Sequence, residues 1–187
     1  MEKQRELFDS HIDKLNKLEL RNYKNIEQAI LVIQKGQLIQ KISEDLKKYI
    51  IELGNEATLL KTRLKEIISG VDRETNLVIK DYTRLDSKKS KVLLSSLSYD
   101  EILDEENILR SLAYENLTQV KSVEGWRILS KTFLPEQDIA KLIKSKKTLG
   151  EIMYSNVKSY YDILGEEKAN LFKEEIEKIK LNPWHLR

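Results

Sequence analysis

The residues of this sequence best suited to chemistry lie in its last third, and they are suited to holding phosphate groups. Gly165 lies in a break between two apolar helical segments, and Lys168 follows it closely. Lysine ammonium groups neutralise the phosphates of a nucleic-acid backbone, and a glycine in a tight turn lets the chain approach an anion closely. The pattern favours contacts to nucleic acid. The alternative interpretation is that these are ordinary lysines on a solvated surface. Four further lysines gather within seven positions: Lys141, Lys144, Lys146 and Lys147.

The residue types and their spacing do not indicate a metal site, a catalytic site or a cofactor site. His11 and His185 are the two histidines, and neither has a ligand partner at metal-binding spacing, so we expect solvated side chains there. Carboxylates such as those of 104–106 and 174–177 alternate with lysine, which is typical of a solvated helix surface. No glycine-rich phosphate loop, nucleophile elbow or zinc spacing occurs. The sequence therefore predicts no catalytic residue, no metal and no cofactor.

Two helix-hairpin-helix units are predicted to position the lysines and the glycine. A helix entered through a tight turn directs its first N–H groups and the positive end of its dipole outward, which suits a phosphate. The turn residues Leu134, Leu164 and Gly165 therefore join the five lysines in the predicted DNA-binding set. The predicted elements are 125–132 and 135–144 joined through 133–134, a connector at 148–153, and 156–161 and 166–180 joined through 162–165.

The composition favours a helical protein. Of its 187 residues, 34% are charged and 40% are apolar, with only six Gly and two Pro, as in mostly helical chains. The formal charge of +2 is too small to indicate nucleic acid by itself. Cysteine is absent, and no apolar run approaches the roughly 18 residues of a membrane helix. Because the amino terminus also lacks the apolar core of a secretory signal, we expect a cytoplasmic protein.

The chain before the hairpins is predicted to form a helical spine. Gly36 lies inside one helical pattern and could kink it, whereas Gly54 and Gly70 are expected to end helices. The basic run at 86–91 is predicted to be a loop or a solvated helix start. We expect an all-α fold, with an elongated helical linker bundle over 1–118 and a tandem helix-hairpin-helix domain over 119–187. The apolar patterns of helical spacing cover 3–18, 23–53, 57–70, 73–84, 99–103 and 107–113.

The order of these pieces resembles one family, that of DisA, the DNA integrity scanning protein. The resemblance implies a DNA-binding carboxyl-terminal domain on a long helical spine. In the family that domain recognises branched DNA and controls an amino-terminal diadenylate cyclase domain. The first turn fits the family's Leu-Pro form, whereas the first glycine of the second turn is replaced by Ile163. The resembling stretches are YIIELGNEATLLKTRLKEIISGVDRETNLVIKDY (49–82), SYDEILDEENILRSLAY (98–114), GWRILSKTFLP (125–135) and the second hairpin.

The family's cyclase motifs, Asp-Gly-Ala and Arg-His-Arg, do not occur in these 187 residues. We expect either part of a longer protein or a relative without that domain, and in neither case an enzyme. The expected partner is DNA. Self-association through the spine and a cyclase domain on a separate chain are further candidates. We expect no membrane partner.

Two hypotheses stay open. The first is sequence-independent binding of branched or structured DNA, which the lysine cluster and the order of the two hairpins favour. The second is a non-catalytic helical scaffold or protein-interaction module with degenerate hairpins, which Ile163 and the low net charge favour.

Overall fold

The structure, a computed structural model, describes Glu6 and residues 26–52, 57–117 and 122–181. Across those segments all regular secondary structure is helical and no strand occurs, so the all-α prediction is confirmed. The helix predicted at 3–18, the break predicted at Gly54, both histidines and the boundary predicted after residue 118 lie outside the described residues. The chain divides into two compact units, Met1–Val120 and Lys121–Arg187, and each is described by itself.

The first unit is built on a pair of long helices. Helix α1 spans Ile26–Glu52 and helix α2 spans Thr58–Tyr82. Residues 39–50 of α1 share one apolar core with Ala57 and with residues 64–71 of α2, and Gly36 of α1 faces Thr75 of α2, so the two helices run antiparallel. Three shorter helices follow in the described residues: α3 (Ser87–Ser96), α4 (Tyr99–Leu103) and α5 (Glu105–Ser111).

Gly36 allows the two long helices to approach closely. A Cβ atom at this position would lie 2.1 Å from Oγ1 of Thr75, whose side chain is buried. Any larger residue would therefore force α1 and α2 apart. Helix α1 continues through Gly36 as one element, so packing against α2 accounts for this glycine.

The prediction that Gly70 ends a helix is wrong. Helix α2 continues through Gly70 without interruption, and the segment predicted separately at 73–84 belongs to it. A glycine inside a helix costs about 1 kcal/mol relative to alanine. The buried residues Leu64, Ile68 and Val71 lie on either side of Gly70, and their packing against α1 outweighs that cost.

Short polar side chains define where the smaller helices begin. The carboxylate of Asp86 accepts hydrogen bonds from the backbone N–H groups of Lys88 and Lys89, so the basic run is the start of α3 rather than a loop. Ser98 and Glu101 form a reciprocal capping box at the start of α4. Helices α4 and α5 pack against α1.

The second unit contains the segments predicted to form the two hairpins. Tyr160 and Phe172 lie at its centre, with their rings edge to face and 5.5 Å between centroids, and the Tyr160 hydroxyl donates to the Ile152 carbonyl. No helix in the described parts of the chain is long and apolar enough to span a membrane. The elements are α6 (Trp126–Leu129), α7 (Glu136–Lys146), α8 (Leu149–Tyr154), a 3-10 turn (Val157–Tyr160), α9 (Tyr161–Leu164) and α10 (Glu166–Leu181).

Both turns differ in length from the prediction. The first helix of the first hairpin ends at Leu129, so residues 130–135 form a longer connection than expected. The predicted turn at 162–165 is helical up to Leu164, and Gly165 is the sole residue between α9 and α10. Gly165 can end one helix and begin the next because it adopts a φ of +81°.

Candidate nucleic-acid interface

The first turn directs one apolar residue inward and its neighbour outward. Leu134 is only 5% exposed, and its N–H donates to the hydroxyl of Thr132. Phe133 is 48% exposed, and its N–H donates to Oε2 of Glu175 at 3.3 Å. The side chain of Leu134, a predicted DNA-binding residue, therefore belongs to the core. The exposed part of this turn is Phe133, for which the sequence predicted only a joining role between two helices.

The second turn presents backbone rather than side chains. Leu164, another predicted DNA-binding residue, is buried, whereas Gly165 is exposed. No atom lies within 4 Å of the position that a Cβ on Gly165 would occupy. Glycine is needed there for its positive φ and not for lack of space. Glu166 and Glu167, both exposed, open α10 immediately after this turn.

An ion pair joins the beginnings of the two hairpin helices. Asp138 is the third residue of α7, and Lys168 is the third residue of α10. Lys168 Nζ lies 3.0 Å from Oδ2 of Asp138, whose side chain is 10% exposed. This contact brings the amino-terminal ends of α7 and α10, each of which follows a turn, close to one another.

Asp138 also holds Lys141 on its own helix. Lys141 Nζ lies 3.2 Å from Oδ1 of Asp138, so the two oxygens of one carboxylate bind two of the predicted DNA-binding lysines. The Lys168 ammonium group, followed by that of Lys141, holds the pKa of Asp138 below its usual range. Because both lysine side chains are more than half exposed, they still present positive charge to solvent.

The remaining three lysines lie at the other end of α7. Lys144 and Lys147 are exposed, and Lys146 Nζ lies 5.8 Å from the centre of the Tyr160 ring. At about 1.5 Å per residue, this end of α7 is roughly 12 Å from Asp138. Lysines in the last turn also stabilise a helix by complementing its dipole. Within the predicted cluster, Lys141 in the middle of α7 is paired toward its start, whereas the other three lysines lie at its end.

Lys147 has an unusual backbone. It follows α7 directly and has a φ of +67° and a ψ of −37°, a region that side chains with a Cβ rarely occupy. Its N–H donates to the carbonyl of Ile143, so the conformation serves to end the helix. No sequence signal predicted positive φ here, because glycine and asparagine are the usual residues at such ends.

Sequence reasoning missed two contacts for one physical reason. Asp138 and Lys168 are 30 residues apart, and Phe133 and Glu175 are 42 residues apart. Helical periodicity reports only neighbours three or four positions away. In the described residues, histidine, aspartate and glutamate form no group of three that could hold a metal ion.

The chain is similar to known proteins along nearly its whole length. Residues 1–121 match the sequence family described as the DisA bacterial checkpoint controller linker region. A DNA integrity scanning protein DisA from Carboxydothermus hydrogenoformans is 30% identical over 191 residues, which cover 96% of this chain and 54% of that protein. A protein of the same name from Clostridium botulinum is 29% identical over 188 residues, which cover 96% of this chain and 53% of that one.

A third relative, DNA integrity scanning protein DisA from Acetivibrio thermocellus, is 28% identical over 190 residues, again with 96% of this chain covered. The chain spans about half the length of these relatives. The family match covers well over half of the chain and agrees with the helical spine of the first unit. This chain therefore belongs to the DisA family.

Proposed function

We propose that the second unit binds the backbone of branched or structured DNA through a tandem pair of helix-hairpin-helix motifs, without reading base sequence. The observation that carries this proposal is the ion pair between Asp138 and Lys168, which brings two turn-preceded helix beginnings together. Two such ends provide two sets of outward N–H groups and two positive dipole ends for neighbouring phosphates. The relatives' name, DNA integrity scanning protein, supports DNA as the partner.

The two hairpins contribute unequally in this proposal. Glu166 and Glu167 stabilise the start of α10 through its dipole, but they repel a phosphate that approaches Gly165. Lys168 offsets part of that repulsion, although its ammonium group is shared with Asp138. Glu136 and Asp138 likewise place negative charge in the first turn of α7. We therefore assign the larger share of binding to the first hairpin, mainly through the lysines at the end of α7.

The proposal includes no catalytic role for these residues. The matched family region is a linker, and the chain spans about half of each full relative. A diadenylate cyclase domain, in the same protein or on a separate chain, is the proposed partner that DNA binding would regulate. Since bacterial DNA is the ligand, the proposed location is the cytoplasm.

Fluorescence anisotropy with labelled duplex, single-stranded and four-way-junction DNA tests this proposal. We expect the junction to bind most tightly, two junctions of unrelated base sequence to bind alike, and affinity to fall steeply with salt as counterions are released. A protein that binds none of the three DNAs at low salt would contradict the proposal.

A second candidate function is a helical interaction module that pairs with another copy of the chain through the first unit. Exposed apolar side chains favour it: Ile51, near the end of α1, is 73% exposed, and Leu59, near the start of α2, is 84% exposed. Sedimentation equilibrium would show a concentration-dependent dimer that is lost when both residues are changed to serine. An unchanged monomer at every concentration would exclude this function.

A further inference from the structure

The first turn already holds an anion supplied by the chain itself. The N–H of Phe133 donates to Oε2 of Glu175 at 3.3 Å, and Glu175 lies on α10, outside the first hairpin. A backbone N–H has one hydrogen to donate. The carboxylate of Glu175 and a phosphate oxygen therefore cannot both accept a full hydrogen bond from Phe133.

The surroundings of this contact suit an exchange of anions. Lys131, Phe133, Glu174, Glu175 and Lys178 line one open groove between the first turn and α10. Glu175 is partly buried, and its carboxylate stands at the end of a long side chain that can turn away from the groove. With Glu175 turned away, the Phe133 N–H, the two lysines and one carboxylate, that of Glu174, would face the incoming backbone. With Glu175 in place, two carboxylates face it and the N–H is occupied.

We propose that the carboxylate of Glu175 is an internal competitor of DNA phosphate at the first hairpin, so that DNA must displace it in order to bind. This inference rests on the proposed function and adds a residue that lowers the affinity. Phosphate and carboxylate oxygens are both charged acceptors, and charged acceptors form the stronger hydrogen bonds. The consequence is weaker binding than the hairpin geometry alone would allow.

The chain offers a matched control at the adjacent position. Glu174 lies on the same helix, lines the same groove and carries the same charge, and it is more exposed than Glu175. Changing either residue to alanine removes one negative charge near the DNA and leaves a good helix former on α10. Only Glu175→Ala also releases the N–H of Phe133, so the difference between the two variants isolates that contact.

The experiment measures the dissociation constant of a four-way junction for the parent, Glu175→Ala and Glu174→Ala at one salt concentration. We expect Glu175→Ala to bind about threefold to tenfold more tightly than Glu174→Ala, since a released N–H offers one further hydrogen bond to phosphate. In NMR spectra we expect inorganic phosphate to shift the Phe133 amide at lower concentration in Glu175→Ala than in Glu174→Ala.

The outcomes separate the two proposals. Equal affinities for the two variants, with a parent that binds DNA, would overturn the inference and leave the proposed function standing. A junction that binds neither the parent nor either variant would overturn the proposed function, and the inference with it. A junction that binds Glu175→Ala but not the parent would support both.

Discussion

At the scale of single residues, Asp138 links the first turns of α7 and α10. Its carboxylate binds Lys168 and Lys141 and is itself nearly buried. Removing its charge would deprive both lysines of this ion pair and would break the link between the starts of α7 and α10. We expect Asp138→Asn to lower the free energy of unfolding at pH 7 by about 1 kcal/mol, since both lysines are half exposed.

The same ion pair predicts a dependence on pH. Lys168 and Lys141 hold the pKa of Asp138 below its usual range, so the stabilisation is complete above the unfolded-state pKa of about 4 and is lost as the pH falls through the lower folded-state pKa. Urea denaturation at pH 7 and at pH 2 to 3 should show the parent and Asp138→Asn converging in acid. Asp162→Asn, an exposed change in the same unit, serves as control. A constant difference at both pH values would contradict this account.

The positive φ of Lys147 leads to a second prediction at this scale. Because glycine adopts that backbone without a Cβ penalty, we expect Lys147→Gly to stabilise the protein by about 1 kcal/mol. Lys144→Gly makes the same change inside α7 and should destabilise by a similar amount. Thermal denaturation distinguishes them. If both variants lose stability, the strain assigned to Lys147 is absent.

At the scale of elements, the two long helices of the first unit depend on a small residue where they touch. We expect Gly36→Ala to destabilise by about 1 to 3 kcal/mol, because its Cβ would overlap the buried Thr75 side chain. Gly70→Ala is the matched change on the open side of α2, and it should stabilise by about 1 kcal/mol. Chemical denaturation measures both. A Gly36→Ala protein as stable as Gly70→Ala would show that the helices do not meet there.

The sequence was informative about elements and much less so about the site. Apolar periodicity identified α1, α4 and α7 because each buries one face, and that spacing is local. It failed at Gly70, where tertiary packing outweighs glycine's poor helix propensity. Apolar periodicity could not predict the Asp138–Lys168 ion pair, because the two residues lie on helices that are distant in sequence.

At the scale of the whole molecule, net charge cannot drive DNA binding. Basic and acidic residues nearly balance, 33 against 31, so any attraction must come from where charges lie. The phosphates bound at two helix beginnings and at one lysine group set how steeply the affinity falls with salt. That slope therefore reports how many phosphates the proposed interface neutralises.

The most direct measurement of the central claim is the salt dependence of four-way-junction binding by variants in which three lysines are replaced in different places. We expect changing Lys144, Lys146 and Lys147 to alanine to weaken binding and to lower the slope of log K against log salt by about one for each phosphate that is no longer neutralised. The same change at 88, 89 and 91, on α3 of the first unit, should alter neither quantity.

Circular dichroism verifies that both triple variants fold. If the two variants reduce the affinity and the slope equally, or if neither does, the second unit is not the DNA-binding surface and the account is contradicted.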